Sequence, residues 1–130
     1  MQGASILFYP TAIGWHPHEK KEHGKAQFES WQTIQRSHAI ANGVYVAAVN
    51  RIGLEKETKD SAGIEFWGRS FICDPQGIII AEASHDKEEI LIADVDLNRI
   101  EYIRRNWPFV VVLFFEIEEL MLTEISQKDS

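Results

Sequence analysis

Apolar positions along the chain come in short blocks set between charged stretches. "SILFY" (Ser5–Tyr9) has the length of a buried strand and is closed by Pro10. "PTAIGWHPHEKKEHGK" then reads as a polar loop carrying His16, His18 and His23. From about Ala26 to Asn42, the residues Phe28, Trp31, Ile34, His38 and Ala41 recur in steps of three and four. That spacing predicts a helix with one apolar stripe. Gly43 falls where a left-handed residue relieves a helix end. "VYVAAV" (Val44–Val49) is apolar on both parities. Val44, Val46 and Ala48 face one way; Tyr45, Ala47 and Val49 face the other. A strand of this kind needs cover on both faces.

The second half alternates strands and turns. "RIGLEKETKDSAG" reads as a charged loop, and "IEFWGRSFICD" (Ile64–Asp74) as one strand with a bulge or a close backbone approach at Gly68. "DPQG" (Asp74–Gly77) has the proline and glycine of a type I turn, so "IIIAEA" reads as a hairpin partner. A further strand is expected over about Glu89–Val95. Asp96 is placed to cap a short helix over Leu97–Arg105, with Pro108 at or beyond its end. This order predicts a mixed α/β domain whose second half is mainly β. Two strands read as buried on both faces, yet the helices supply about one covering layer. The shortfall predicts extensive dimerisation or a place in something larger.

Composition narrows this picture. At 130 residues, 45% hydrophobic and 25% charged, the chain has the make-up of one globular domain. A formal charge of -7 leaves no bulk basic surface for a phosphate backbone, so no nucleic-acid partner is expected. The late apolar run "FVVVLFF" is too short to span a bilayer, so no membrane partner is expected either. The opening residues lack the basic start and long apolar core of a signal peptide. With a single cysteine no internal disulfide forms, and a reducing, cytoplasmic setting is expected.

Candidate chemistry is sparse. Cys73, the sole thiol, lies late in an apolar strand beside Asp74, whose charge disfavours a thiolate. It reads as a small buried hydrophobe. His16 and His18 have the spacing that opens a metal site, with His23 further on, but a solvated loop lacks the supported ligands zinc needs. No metal or other cofactor is assigned. His38 lies on the apolar stripe and reads as a hydrogen-bonded core histidine. There is no G-x-S-x-G elbow, phosphate loop or dinucleotide fingerprint.

Four blocks carry more information together: "ILFYPTAIGW", "ESWQTIQRSHAIANGVYVAAVNRIG", "EFWGRSFICDPQGIII" and "EEILIADVDLNRIEYIRRNWPF". In this order, over about Gln2 to Phe109, they resemble successive blocks of the carbon–nitrogen hydrolase (nitrilase) superfamily. "PTAIGW" is most similar to the branch that hydrolyses N-carbamoylputrescine to putrescine, CO2 and ammonia in polyamine biosynthesis. The resemblance implies an α/β fold, a partial four-layer α-β-β-α sandwich, with residues 1–109 as its C-terminal half and 110–130 as a divergent tail. It also implies a Glu-Lys-Cys triad in which Cys attacks a C–N carbonyl, Glu is the general base and Lys holds the oxyanion.

All three triad positions match upstream of Met1, so no catalytic residue is assigned here, and the chain alone is expected to be inactive. By the same resemblance Thr11, Ala12 and Ile13 line the substrate pocket, and Trp15 and Trp31 give it an apolar wall. His16 and Glu19 are candidates to approach a substrate amine. Asn50, Arg51, Gly68 and Ser70 are expected to be architectural, with Arg51 paired to a carboxylate. The implied partners are a small N-carbamoyl amine or amide substrate and either further copies in a homo-oligomer or a missing N-terminal half. A split enzyme complemented by a separate N-terminal half fits the same pattern. Where the family runs into an arginine-rich segment, "VVVLFFEIEELMLTEISQKDS" is apolar and then acidic, as a frameshift would leave it. The alternative function is a non-catalytic oligomerisation or regulatory subunit of a nitrilase-like enzyme.

Overall fold

The computed structural model describes residues 3–109; the tail expected to diverge, 110–130, lies outside them. The elements are β1 (Ile6–Thr11), β2 (Gly14–Trp15), α1 (Lys20–Asn42), β3 (Tyr45–Asn50), β4 (Ile52–Glu55), β5 (Ile64–Trp67), β6 (Phe71–Cys73), β7 (Ile79–Glu82) and α2 (Leu97–Asn106). One sheet has the order β1-β3-β6-β7 and a smaller one the order β2-β5-β4. β1 and β3 run parallel, and α1 makes the crossover between them; the other pairs are antiparallel.

Helix α1 starts at Lys20, well before the apolar stripe begins. The segment "KKEHGK" has mostly good helix formers, and a solvated face needs no apolar periodicity. Its glycine is explained by Trp15: a Cβ on Gly24 would stand 2.9 Å from the indole nitrogen. That nitrogen donates to the Gly24 carbonyl at 2.9 Å. The buried stripe runs Gly24, Trp31, Gln35, Ala39, with Phe28 packed at its edge, while Ile34 is exposed. The stripe is therefore rotated from the expected one. The helix closes as expected at Gly43, at φ 56°, with Val44 N bonded to Ala39 O.

Beneath α1, Val46, Ala48, Phe71 and Cys73 form the core with Trp31, Ala39 and Trp67. The register puts Phe8, Ala47 and Ile72 on the opposite face of the same sheet. Tyr45 is buried there, its hydroxyl bonded to the Asp96 backbone, but Phe8 is 69% and Val49 55% exposed. Cover on both faces therefore holds for only the first part of β3.

Four expectations need correction. β1 is not a buried strand closed by Pro10: it continues to Thr11, because an edge strand tolerates a residue without an N–H. The loop after Asn50 begins with a strand, β4, which pairs with β5. Ile64–Asp74 is not one strand. It breaks at Gly68 and Arg69, both at positive φ, and its halves enter different sheets. Residues 89–95 keep the alternation of a strand, but among the described residues they find no ladder partner, and Ile90 is 90% exposed.

At the far end of the larger sheet, Asp96 caps α2 through Asn98 N at 2.9 Å. Arg99 ties the helix to Asp74 at 2.6 Å, and Arg104 donates to the carbonyls of Gly43 and Ala4.

Candidate functional site

Besides the crossing from β2 to β3 that α1 carries, the chain steps directly from one sheet to the other at three points: between β1 and β2, between β3 and β4, and between β5 and β6. Asn50, at the end of β3 and 8% exposed, stands at the second of these and bonds to the other two. Its Oδ1 accepts from Ile13 N at 2.9 Å and lies 3.1 Å from the Thr11 hydroxyl. Its Nδ2 donates to the carbonyls of Ile13 and Gly68, both at 3.0 Å. Its backbone N–H donates to Ser70 Oγ at 2.9 Å. A buried amide with both donors and both acceptor sites in use is fixed in orientation.

The third crossing is unusually tight. Gly68 and Arg69 have φ of 60° and 57°, and Arg69 N donates to Ser84 O. A Cβ at Gly68 would stand 2.8 Å from the His85 carbonyl oxygen, so only glycine fits. Arg69 accepts the left-handed conformation with its guanidinium 5.5 Å over the Phe28 ring and 3.8 Å from Glu82. Left-handed backbone in a non-glycine residue is a cost that surrounding contacts must offset.

Around this junction the expected pocket residues separate into two groups. Thr11, Ala12 and Ile13 come together on a partly exposed loop at the C-terminal end of the parallel pair β1 and β3. Trp15 lies below, its ring 5.3 Å from Trp67, with the Lys20 ammonium 4.8 Å from its own centroid. Trp31 is deeper, packed edge-on against Trp67 and Phe71 within the core. The two tryptophans are thus joined through Trp67, and Trp31 is removed from the loop. His16 is exposed and stacks on His18, while Glu19 sits at the start of α1 and accepts from Gln27. Arg51 pairs with the Glu55 carboxylate at 2.7 Å and lies over the Phe66 ring.

Cys73 is fully buried, and its thiol is pushed up to about 11. Burial is the main cause; Asp74 adds a smaller push, against the pull of the Val46 backbone and Arg36. A neutral, inaccessible thiol is no nucleophile. Among the described residues no group of three or more His, Cys, Asp or Glu is arranged to hold a metal ion.

A cleft of about 440 Å3 opens beside the junction, with Val49, Asn50, Gly68, Ser70, Lys87 and Glu88 in its walls. Its outer wall is shaped by Glu89, whose carboxylate accepts from Ser84 N. The Ser84 hydroxyl and N–H hold the Glu89 carboxyl below its ordinary range. Periodicity gave no sign of this loop. The one available signal for the junction was a polar Asn closing a run of apolar residues, which must either reach solvent or find partners inside.

Residues 1–105 match the carbon-nitrogen hydrolase family. The N-carbamoylputrescine amidase of Arabidopsis thaliana is 44% identical over 109 residues, covering 82% of this chain and 36% of the relative. That of Oryza sativa subsp. japonica is 42% identical, covering 82% and 35%. A solved carbon-nitrogen hydrolase from Helicobacter pylori G27 superposes with a TM-score of 0.79 at 47% identity, covering 84% of this chain and 38% of that one. The chain spans little more than a third of the length of these relatives. With most of its length matched, its motifs in order and its sheets superposing on a solved member, the chain belongs to the carbon-nitrogen hydrolase family.

Proposed function

We propose that this chain supplies the substrate-loop portion of a carbon-nitrogen hydrolase that releases ammonia from an N-carbamoyl amine of the N-carbamoylputrescine type. In that reaction a cysteine thiolate adds to the carbamoyl carbon and ammonia leaves. Water then frees the sulfur, and the resulting carbamic acid splits into amine and CO2. The observation that carries the reading is the loop Thr11–Ile13. It is partly exposed and pinned where two parallel strands end, the place at which α/β sheets bind ligands. The likeness to two N-carbamoylputrescine amidases supports this substrate class.

The sole cysteine is buried in the core, so the nucleophile in this reading comes from outside these 130 residues. A second polypeptide segment docks along the open edge of β1 and over Phe8 and Val49, bringing the thiol beside Thr11. A cytoplasmic setting, where such a thiol stays reduced, goes with this.

The test is complementation. The purified chain is mixed with the separately expressed N-terminal part of the Helicobacter pylori relative, and ammonia release from N-carbamoylputrescine, citrulline, a simple amide and a nitrile is measured. We expect none from the chain alone and release from the mixture with N-carbamoylputrescine preferred. Activity should persist with Cys73→Ala and vanish when the partner's own nucleophilic cysteine is replaced. Ammonia from the chain alone would overturn the reading. A stable complex that hydrolyses none of the four would replace it with a non-catalytic subunit.

A further inference from the structure

We infer that Asn50 is a positioning residue for the substrate loop; this rests on the function proposed above. The Thr11–Ile13 segment has few other ties. Ala12 and Ile13 lie outside the ladders of both sheets. Asn50 Oδ1 is the hydrogen-bond partner of Ile13 N, and Asn50 Nδ2 that of Ile13 O. The same Nδ2 reaches the Gly68 carbonyl at the left-handed corner, and the same residue's N–H reaches Ser70. One side chain therefore sets the distance between the loop and the corner that borders the cleft. The Thr11 hydroxyl, within 3.1 Å of both Val49 O and Asn50 Oδ1, adds a second restraint on the loop's first residue.

The two ends of the amide play different roles. The oxygen holds the loop through an N–H and a hydroxyl, whereas the nitrogen couples the loop to the corner. Asn50→Asp keeps an acceptor for Ile13 N and removes both donations from Nδ2. It also places two carbonyl oxygens against a carboxylate, which opens the coupling to Gly68. Asn50→Ala removes every side-chain bond.

Both variants of the full 130-residue chain are compared with wild type by amide hydrogen exchange. We expect the Ile13 amide to exchange about tenfold faster or more in Asn50→Ala, the loss of one net hydrogen bond. Asn50→Asp should free the loop less at that amide, and the Val46 and Ala48 amides at the centre of β3 should keep their wild-type rates. If Ile13 exchange is unchanged, or if all three amides accelerate together, Asn50 does not position the loop. Should Asn50→Ala fail to fold, Asn50→Asp carries the comparison. In the complemented enzyme, both variants should lower kcat/KM for N-carbamoylputrescine by about tenfold, mainly through KM. Wild-type kinetics in an active mixture would overturn the positioning role and leave the proposed function standing. A mixture without any hydrolysis would remove the function, while the exchange rates still decide what Asn50 does to the loop.

Discussion

At the scale of single residues, burial decides which groups hold chemistry and which hold structure. Cys73 has the side chain of a nucleophile and the surroundings of a valine. Burial pushes its thiol up from an ordinary 9.0 to about 11 in the fold. The unfolded state thus gives up its proton first, and stability present below pH 9 is lost as pH rises toward 11. The thiol's contribution to that loss is on the order of 3 kcal/mol. Urea unfolding of wild type and Cys73→Ala across this range should show the pH slope reduced in the variant; identical slopes would mean the thiol is not desolvated. Native Cys73 should also resist iodoacetamide at pH 8 and react once unfolded. This much was legible in the sequence, since a cysteine inside "SFICD" has apolar neighbours on its strand. The role of Asn50 was not, because a side chain that bonds across a long sequence separation leaves no periodic trace.

At the scale of elements, the local features form as the sequence predicts. The Asp96 cap, the Gly43 stop and the "DPQG" turn each depend on residues within one turn of each other, and each forms as its sequence implies. What failed was pairing. Nothing local distinguishes a bulged strand from two strands in different sheets, and Gly68 followed by Arg69 turned the chain between sheets instead of kinking it. Likewise, a solvated helix start carries no stripe, so α1 looked shorter than it is.

Two elements are joined by one ion pair that can be measured. Asp74, with a nearly buried side chain, accepts from Gln76 N and Ile78 N with one oxygen and from Arg99 with the other. Arg99→Ala leaves that carboxylate without its cation and should cost roughly 2 to 3 kcal/mol. A double-mutant cycle with Asp74→Asn should return a coupling energy well above that of an exposed pair. Coupling near zero would mean that α2 is held by Ile100 and Ile103 alone. In the loop after β7, Glu89 should titrate below its ordinary 4.5, and Ser84→Ala should move it upward by removing one of the two donors. A carbon-detected NMR titration reads both values directly.

At the scale of the whole molecule, the sheet face opposite α1 is covered at Tyr45 and Ala47 but, among the described residues, open at Phe8 and Val49. Both lie at or next to the edge strand β1, whose outer side has no ladder partner among the described residues. An exposed apolar face beside a free strand edge is a template for association. Burying one Phe and one Val side chain yields about 3 to 5 kcal/mol in total, enough to drive pairing at micromolar concentration once other contacts join. The purified chain should therefore self-associate, with the weight-average mass rising through the micromolar range in sedimentation experiments. Phe8→Lys and Val49→Lys together should lower that association by at least about tenfold, as two charges would have to be buried. Circular dichroism should stay unchanged, since neither side chain belongs to the core under α1. The N-terminal part of the Helicobacter pylori relative should compete, converting the self-associated chain into a one-to-one complex. A chain that stays monomeric at every concentration would show that something within residues 1–130 already covers this face. Association undiminished by the two lysines would move the contact to another surface, such as the exposed Ile90 and Ile92.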